Sequence, residues 1–242
     1  METLSRKKPI WQRIIVIAAI ILLVSSIAVC GVCLFQRFYY SPIWVNGQSM
    51  YPTLNKEAKY KDGTLIGEVR HRGEEEGTYD VDYGFMATNS FAINSIKRFN
   101  IIVCKYSSQQ ASYNIKRVIA LPGEKFYFVN NPGKEHNGDL YVCEKGQNEF
   151  KYVSQPIDSD FVLRGDYTKK GSEVFSLNED EYFVCGDNRV GTNSYDSRDV
   201  GPIEKSNILG VFRGINGKAT LGYNSDNVFG PISVSHHWPR FL

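Results

Sequence analysis

Tyr113-Asn114-Ile115-Lys116-Arg117-Val118-Ile119-Ala120-Leu121-Pro122-Gly123 is a β-branched, apolar run closed by a Pro-Gly turn signal. That is the signature of a strand. Successive side chains of a strand point to opposite faces, so Lys116 and Arg117 must face opposite sides of the sheet. One of the two therefore points toward an interior lined by Ile and Val. The same kind of run recurs at Asn100–Tyr106, Lys125–Val129, Leu140–Cys143, Glu181–Cys185 and Ile208–Phe212. Pro-Gly at 132–133, Asn-Gly at 137–138 and Gly-Asp-Asn at 186–188 separate them. No long amphipathic helix pattern interrupts the series, so the spacing predicts an all-β domain.

Upstream of that domain, residues 14–35 form 22 consecutive uncharged and mainly apolar positions. About 20 such residues in a helix span the hydrocarbon of a bilayer. Arg6, Lys7, Lys8 and Arg13 precede the segment against Glu2 alone, and only Arg37 follows closely. The positive-inside rule then places residues 1–13 in the cytoplasm and residues 40–242 outside. Phe35, Phe38, Tyr39, Tyr40 and Trp44 fall at the expected outer interface. A cleavable leader has a shorter apolar core and a small-residue cleavage site; a lipoprotein leader has a small residue before its cysteine, whereas Val29 and Val32 precede Cys30 and Cys33. A retained single-pass anchor is expected.

Beyond residue 13 the chain carries 24 basic and 25 acidic residues. A near-neutral balance argues against nucleic acid as a partner. Cys104, Cys143 and Cys185 are an odd set at irregular spacing, which leaves their pairing open. No zinc spacing, phosphate loop or dinucleotide fingerprint is present, so neither metal nor cofactor is expected. Residues 55–80 are charge-rich and read as a solvated loop. His71, His136, His236 and His237 lie in no motif and read as surface histidines.

The chemistry sits in two further stretches. Asn46-Gly47-Gln48-Ser49-Met50-Tyr51-Pro52-Thr53-Leu54 offers a serine in a glycine-containing turn, and Gly186-Asp187-Asn188-Arg189 leads to Asn193-Ser194-Tyr195-Asp196-Ser197-Arg198. A serine hydroxyl needs a base to become a nucleophile. Lysine can be that base only when neutral, so its pKa must fall from about 10.4 toward 8 or below, at a cost of roughly 3–5 kcal/mol. Burial in an apolar strand supplies such an environment. An exposed Lys116 on a polar face is the plain alternative.

Together the three motifs, in this order behind an anchor, resemble the type I signal peptidases in their Gram-positive-like branch. These are membrane-anchored Ser/Lys-dyad serine proteases that remove signal peptides from exported preproteins. The resemblance implies a signal-peptidase-like β fold, Ser49 as nucleophile and Lys116 as general base. It implies Ser194 as the hydroxyl that holds the lysine amine, and Asp196 with Arg198 as a bracing charged pair; an exposed ion pair of little worth is the alternative. The Ser49 N–H would donate to the oxyanion. Some members add a serine hydroxyl two residues before the nucleophile, where this chain has Gly47, so a second donor must come from elsewhere or be missing. Ile43, Val45, Met50 and Leu54 would line shallow pockets for small residues at −1 and −3 of the substrate, or serve as plain core.

The chain departs from the family pattern at Phe99-Asn100 for Gly-Asp, Ala120 for Gly, Glu124 for Asp and Asn114 for an apolar residue, and has a loop two residues longer before Asn193. The expected partners are signal-peptide-bearing preproteins and the lipid bilayer. A dedicated processing peptidase of the same fold, or a catalytically silent anchored binding domain, are the rival readings.

Overall fold

The computed structural model describes residues 9–59, 63, 65, 78–106, 109–129, 139–157, 173–189, 193–223 and 229–242. The charged run from Arg70 to Gly77, His71, the Pro-Gly at 132–133, His136 and the Asn-Gly at 137–138 lie outside them. Two compact units are present, residues 1–40 and 41–242.

The first unit is helix α1, Ile10–Tyr39. Its segment Ile10–Phe35 has a mean hydropathy of 3.0, and none of its most apolar stretch is buried against protein. In water such a helix would expose a continuous apolar surface at a large hydration cost; its backbone groups are satisfied internally, as hydrocarbon requires.

From Tyr40 onward the described strands are β1 (Tyr40–Trp44), β2 (Tyr79–Ala87), β3 (Ile101–Tyr106), β4 (Gln109–Ala120), β5 (Lys125–Val129) and β6 (Asp139–Cys143). They continue as β7 (Lys151–Val153), β8 (Phe175–Ser176), β9 (Glu181–Cys185), β10 (Ile203–Glu204), β11 (Ile208–Tyr223) and β12 (Phe229–Phe241). Among the described residues, two short α-helices, α2 (Ser90–Asn94) and α3 (Ser197–Val200), and a 3-10 turn at Lys205–Asn207 interrupt them. The main sheet runs β1-β2-β11-β3-β4-β9-β10, with β12 added beside β11, and a smaller sheet runs β7-β6-β5-β8. The all-β expectation holds for the second unit.

β4 lies between β3 and β9, with Lys116 opposite Ile102 and Arg117 opposite Cys185. A strand in that position is covered on both faces, which is why Ile115 to Ala120 are all buried. One core cluster gathers Ile102, Cys104, Val118, Val184 and Val211, and another gathers Ile119, Phe126, Phe128, Leu140 and Phe183. Burying each such side chain contributes about 1.5–3 kcal/mol, which fixes the register that carries Lys116.

Several sequence expectations change in detail. Leu54, Asn55 and Ala58 are buried, and β2 begins at Tyr79 within the charge-rich region. Within residues 55–80 the packed positions Asn55, Ala58 and Tyr79 thus alternate with exposed ones, Lys56, Glu57, Lys59, Thr78 and Asp80. β11 extends to Tyr223, well past the apolar run at its start, because β2 and β12 flank its second half. All five cysteines are free thiols, with Cys104, Cys143 and Cys185 buried.

Candidate active site

Ser49 begins the turn that follows β1, and this turn is tied to the segment after β9. Tyr51 N–H donates to the Gln48 carbonyl (3.0 Å) and Leu54 N–H to that of Met50 (2.9 Å). Asn188 N–H donates to the Ser49 carbonyl at 3.0 Å, while its side-chain amide donates to the Gln48 carbonyl at 3.2 Å. Gly186 is required where these segments meet. A methyl group there would overlap the Ser194 hydroxyl and the Ser49 carbonyl, and would lie 2.6 Å from Ser194 Cβ.

Lys116 Nζ and Ser49 Oγ are 2.9 Å apart. Lys116 is only 3% exposed. Burial lowers its pKa from the ordinary lysine value, against the attraction of Asp196 and with help from the Arg198 charge. The exposed-lysine alternative is thereby excluded. Arg117, its neighbour, is also buried: its guanidinium makes a two-pronged ion pair with Asp187 (2.8 and 2.6 Å) and donates to the Phe99 carbonyl at 2.9 Å.

Ser194 Oγ donates to Asp196 Oδ2 at 2.7 Å. Among the described residues, the Lys116 amine has the Ser49 hydroxyl as its hydrogen-bond partner. A hydroxyl gives its one proton to the strongest acceptor in reach, here a carboxylate, and its lone pairs stay available. Asp196 is fully buried, and Arg198 Nε and Nη2 reach its two oxygens at 2.8 and 3.0 Å. This is no exposed surface pair. Burial alone would raise the Asp196 pKa, but the hydrogen bonds and charge of Arg198, the Gly186 N–H and the Ser194 hydroxyl hold it below the usual carboxylate value. Burial pushes the thiols of Cys104 and Cys185 up to about 12, so both stay protonated beside Lys116.

Of the residues expected to line pockets, Val45, Met50 and Leu54 are at most 2% exposed and belong to a core cluster with Ile101, Val103, Ile115, Phe212 and Ile215. They are packing residues. Ile43 is half-buried against the same cluster and keeps surface to offer a ligand.

The sequence carries no sign of Asn55, and it marks Phe99 and Glu124 only as departures from the family pattern. Asn55, fully buried with φ of +60°, donates from its side chain to the carbonyls of Val45 (2.7 Å) and Gly47 (2.9 Å). Phe99 has φ of +69° at the position where the family pattern has glycine. Glu124 binds Arg98 through both oxygens (2.9 and 2.6 Å). A left-handed Phe had no signal in composition, but its place in a lost Gly-Asp pair was the available clue.

No cluster of metal-ligating side chains occurs among the described residues. A serine hydroxyl against a buried, neutralisable lysine is the equipment of a hydrolase that works by acyl transfer. The family comparison assigns the chain in the same direction. Residues 11–215 match the family model described as signal peptidase, peptidase S26. The chain belongs to this family, and with it to the serine endopeptidases. It is 31% identical to signal peptidase I P of Bacillus subtilis subsp. natto over 76% of this chain and 81% of that one. Signal peptidase I U of Bacillus subtilis strain 168 is 29% identical over 87% of this chain and 90% of its own length. A crystal structure of a signal peptidase I from Enterococcus faecalis is 24% identical and covers 48% of this chain and 96% of that one, at a TM-score of 0.34, too low to argue fold from. Within this family, α1 is a membrane anchor. Residues 216–242, with most of the β11–β12 hairpin, lie beyond the matched region.

Proposed function

We propose that the chain removes N-terminal signal peptides from exported preproteins, with Ser49 as nucleophile and Lys116 as general base. The observation that carries this reading is the 2.9 Å separation of Lys116 Nζ and Ser49 Oγ within a buried site. Neutral Lys116 accepts the Ser49 proton as Oγ attacks the scissile carbonyl carbon. The resulting oxyanion takes a hydrogen bond from the Ser49 N–H. The lysine then returns the proton to the leaving amine, which departs as the new N-terminus of the mature protein. Water, activated by the same lysine, adds to the acyl-enzyme and releases the signal peptide as a carboxylate.

Ser194 donates to Asp196, which Arg198 fixes, and this leaves the Ser194 lone pairs to receive the lysine amine once it turns from Ser49. The substrate's small residues at −1 and −3 meet the surface that Ile43 leaves beside the nucleophile turn. Positive charge before α1 places the N-terminus in the cytoplasm and the peptidase unit outside, where a translocated cleavage site emerges.

The test is a detergent-solubilised preprotein assay with Ala at −3 and −1, comparing wild type, Ser49→Ala and Lys116→Ala by product mass. One cut after the −1 Ala, by wild type only, is expected. Cleavage surviving either substitution would overturn the mechanism, and no cut by wild type would overturn the substrate assignment.

A further inference from the structure

Gly47 leaves the oxyanion with one evident donor, the Ser49 N–H, and the structure holds the neighbouring peptide in a way that supplies another. Asn55 sits behind the nucleophile turn, fully buried. Every polar atom of its side-chain amide is used. Nδ2 donates to the Val45 and Gly47 carbonyls, and Oδ1 accepts from the Asp82 N–H at 2.7 Å. Its own N–H donates to Asp82 Oδ2 at 2.6 Å. The reciprocal pair locks the end of the turn to β2. Its left-handed backbone suits asparagine, which tolerates that region better than most residues.

The consequence falls on the peptide between Gly47 and Gln48. A trans peptide is planar, with its C=O and N–H pointing in opposite directions. Because Asn55 holds the Gly47 carbonyl, the Gln48 N–H of the same peptide points the opposite way, away from Asn55. The chain bends at Gly47 and Gln48, and Gly47 has φ of +95°. Successive N–H groups in such left-handed turns form concavities that bind anions. Among the described residues, neither the Gln48 N–H nor the Ser49 N–H has a hydrogen-bond acceptor.

We propose that Asn55 is a positioning residue for the oxyanion site, turning the Gln48 N–H outward to serve as the second donor that no side chain at position 47 can supply. The proposal rests on Ser49 being the nucleophile. It assigns Asn55 a role in the chemical step rather than in substrate affinity.

The experiment compares the full-length enzyme with Asn55→Gly, which keeps the left-handed backbone and removes the side-chain donor. The readouts are kcat, KM, the pH profile, thermal midpoint and affinity for a peptide aldehyde. Ser49 Oγ adds to the aldehyde's carbonyl carbon as its proton passes to Lys116, and the carbonyl oxygen, taking the π electrons, becomes the hemiacetal oxygen in the oxyanion position. Losing one such donor costs about 100-fold in kcat. Aldehyde affinity should fall by a similar factor, with KM within about threefold and the acid limb of the profile unmoved. Unchanged kcat, or a lower kcat with unchanged aldehyde affinity, overturns the proposal.

Should Asn55→Gly fail to fold, amide NMR of the wild-type enzyme decides. Downfield movement of both the Gln48 and Ser49 amide protons on adduct formation supports the proposal, and movement of Ser49 alone overturns it. Failure of wild type to form any adduct would instead overturn the Ser49 nucleophile assignment, and this proposal with it.

Discussion

Lys116 is 3% exposed, and Asp196, the carboxylate that most attracts it, is committed to Arg198. Burial therefore decides the lysine's charge, and its proton leaves below the ordinary value of 10.5. Only the neutral amine accepts a proton, so kcat/KM should rise with pH through that lowered pKa. Asp196 raises the lysine pKa and Arg198 lowers it. Asp196→Asn should accordingly move the acid limb to lower pH, and a limb that stays or moves up would remove Asp196 from the electrostatics of the base. The same substitution leaves Arg198 buried without its counter-charge and should cost about 3–5 kcal/mol in urea unfolding. Folding linkage gives Lys116 the opposite sign. Between its folded pKa and 10.5 the unfolded chain binds the extra proton, so wild-type stability increases with pH across that window. Lys116→Met should thus be more stable than wild type by about 1–4 kcal/mol at pH 7, with a smaller gain at pH 10, while cleavage is lost. Equal stability at both pH values would show that the amine is not desolvated in solution.

At the scale of elements, the site exists where the turn after β1 meets the turn after β9, and Gly186 sets that distance. Gly186→Ala drives a methyl into Ser194 and the Ser49 carbonyl, so it should cost about 1–3 kcal/mol and lower kcat more than Ser194→Ala does. Parity of the two would mean that the turn shifts at no cost to the nucleophile. The strands that carry Lys116 and Cys185 were legible because β-branched runs between turn signals have one physical reading. The packing of both Lys116 and Arg117 was not, since alternation puts one residue on each face without saying that both faces are covered. Asp187, 70 residues away in sequence, is what makes the second face habitable for Arg117. Met50 and Leu54 look the same in sequence whether they line a pocket or fill a core, and their neighbours decided for the core. Phe99 shows a further limit: a left-handed backbone at a non-glycine residue is imposed by surrounding contacts. Here these are the Phe99 N–H to Val118 (2.8 Å) and Arg117 to the Phe99 carbonyl (2.9 Å).

For the whole molecule, the two units divide anchoring from chemistry. Residues 41–242 contain Ser49 and Lys116, the Asp196–Arg198 and Asp187–Arg117 ion pairs and several clusters of buried apolar residues. The described members of these clusters all lie within residues 41–242, so a fragment comprising those residues should fold cooperatively and cleave a short soluble peptide with kcat/KM within a few fold of the full chain. The anchor acts through concentration. A bilayer-bound enzyme and a bilayer-bound preprotein search two dimensions rather than three, and tethering raises effective concentration by factors of 10² or more without any new contact. Against a preprotein inserted in vesicles, the fragment should therefore lose at least about tenfold in rate at equal enzyme concentration. Reattaching it to the vesicle surface through an unrelated membrane helix should recover most of that loss. A fragment equally fast on both substrates would mean that α1 does not concentrate enzyme on substrate. A loss that an unrelated helix cannot restore would assign α1 a sequence-specific part in presenting the cleavage site to Ser49.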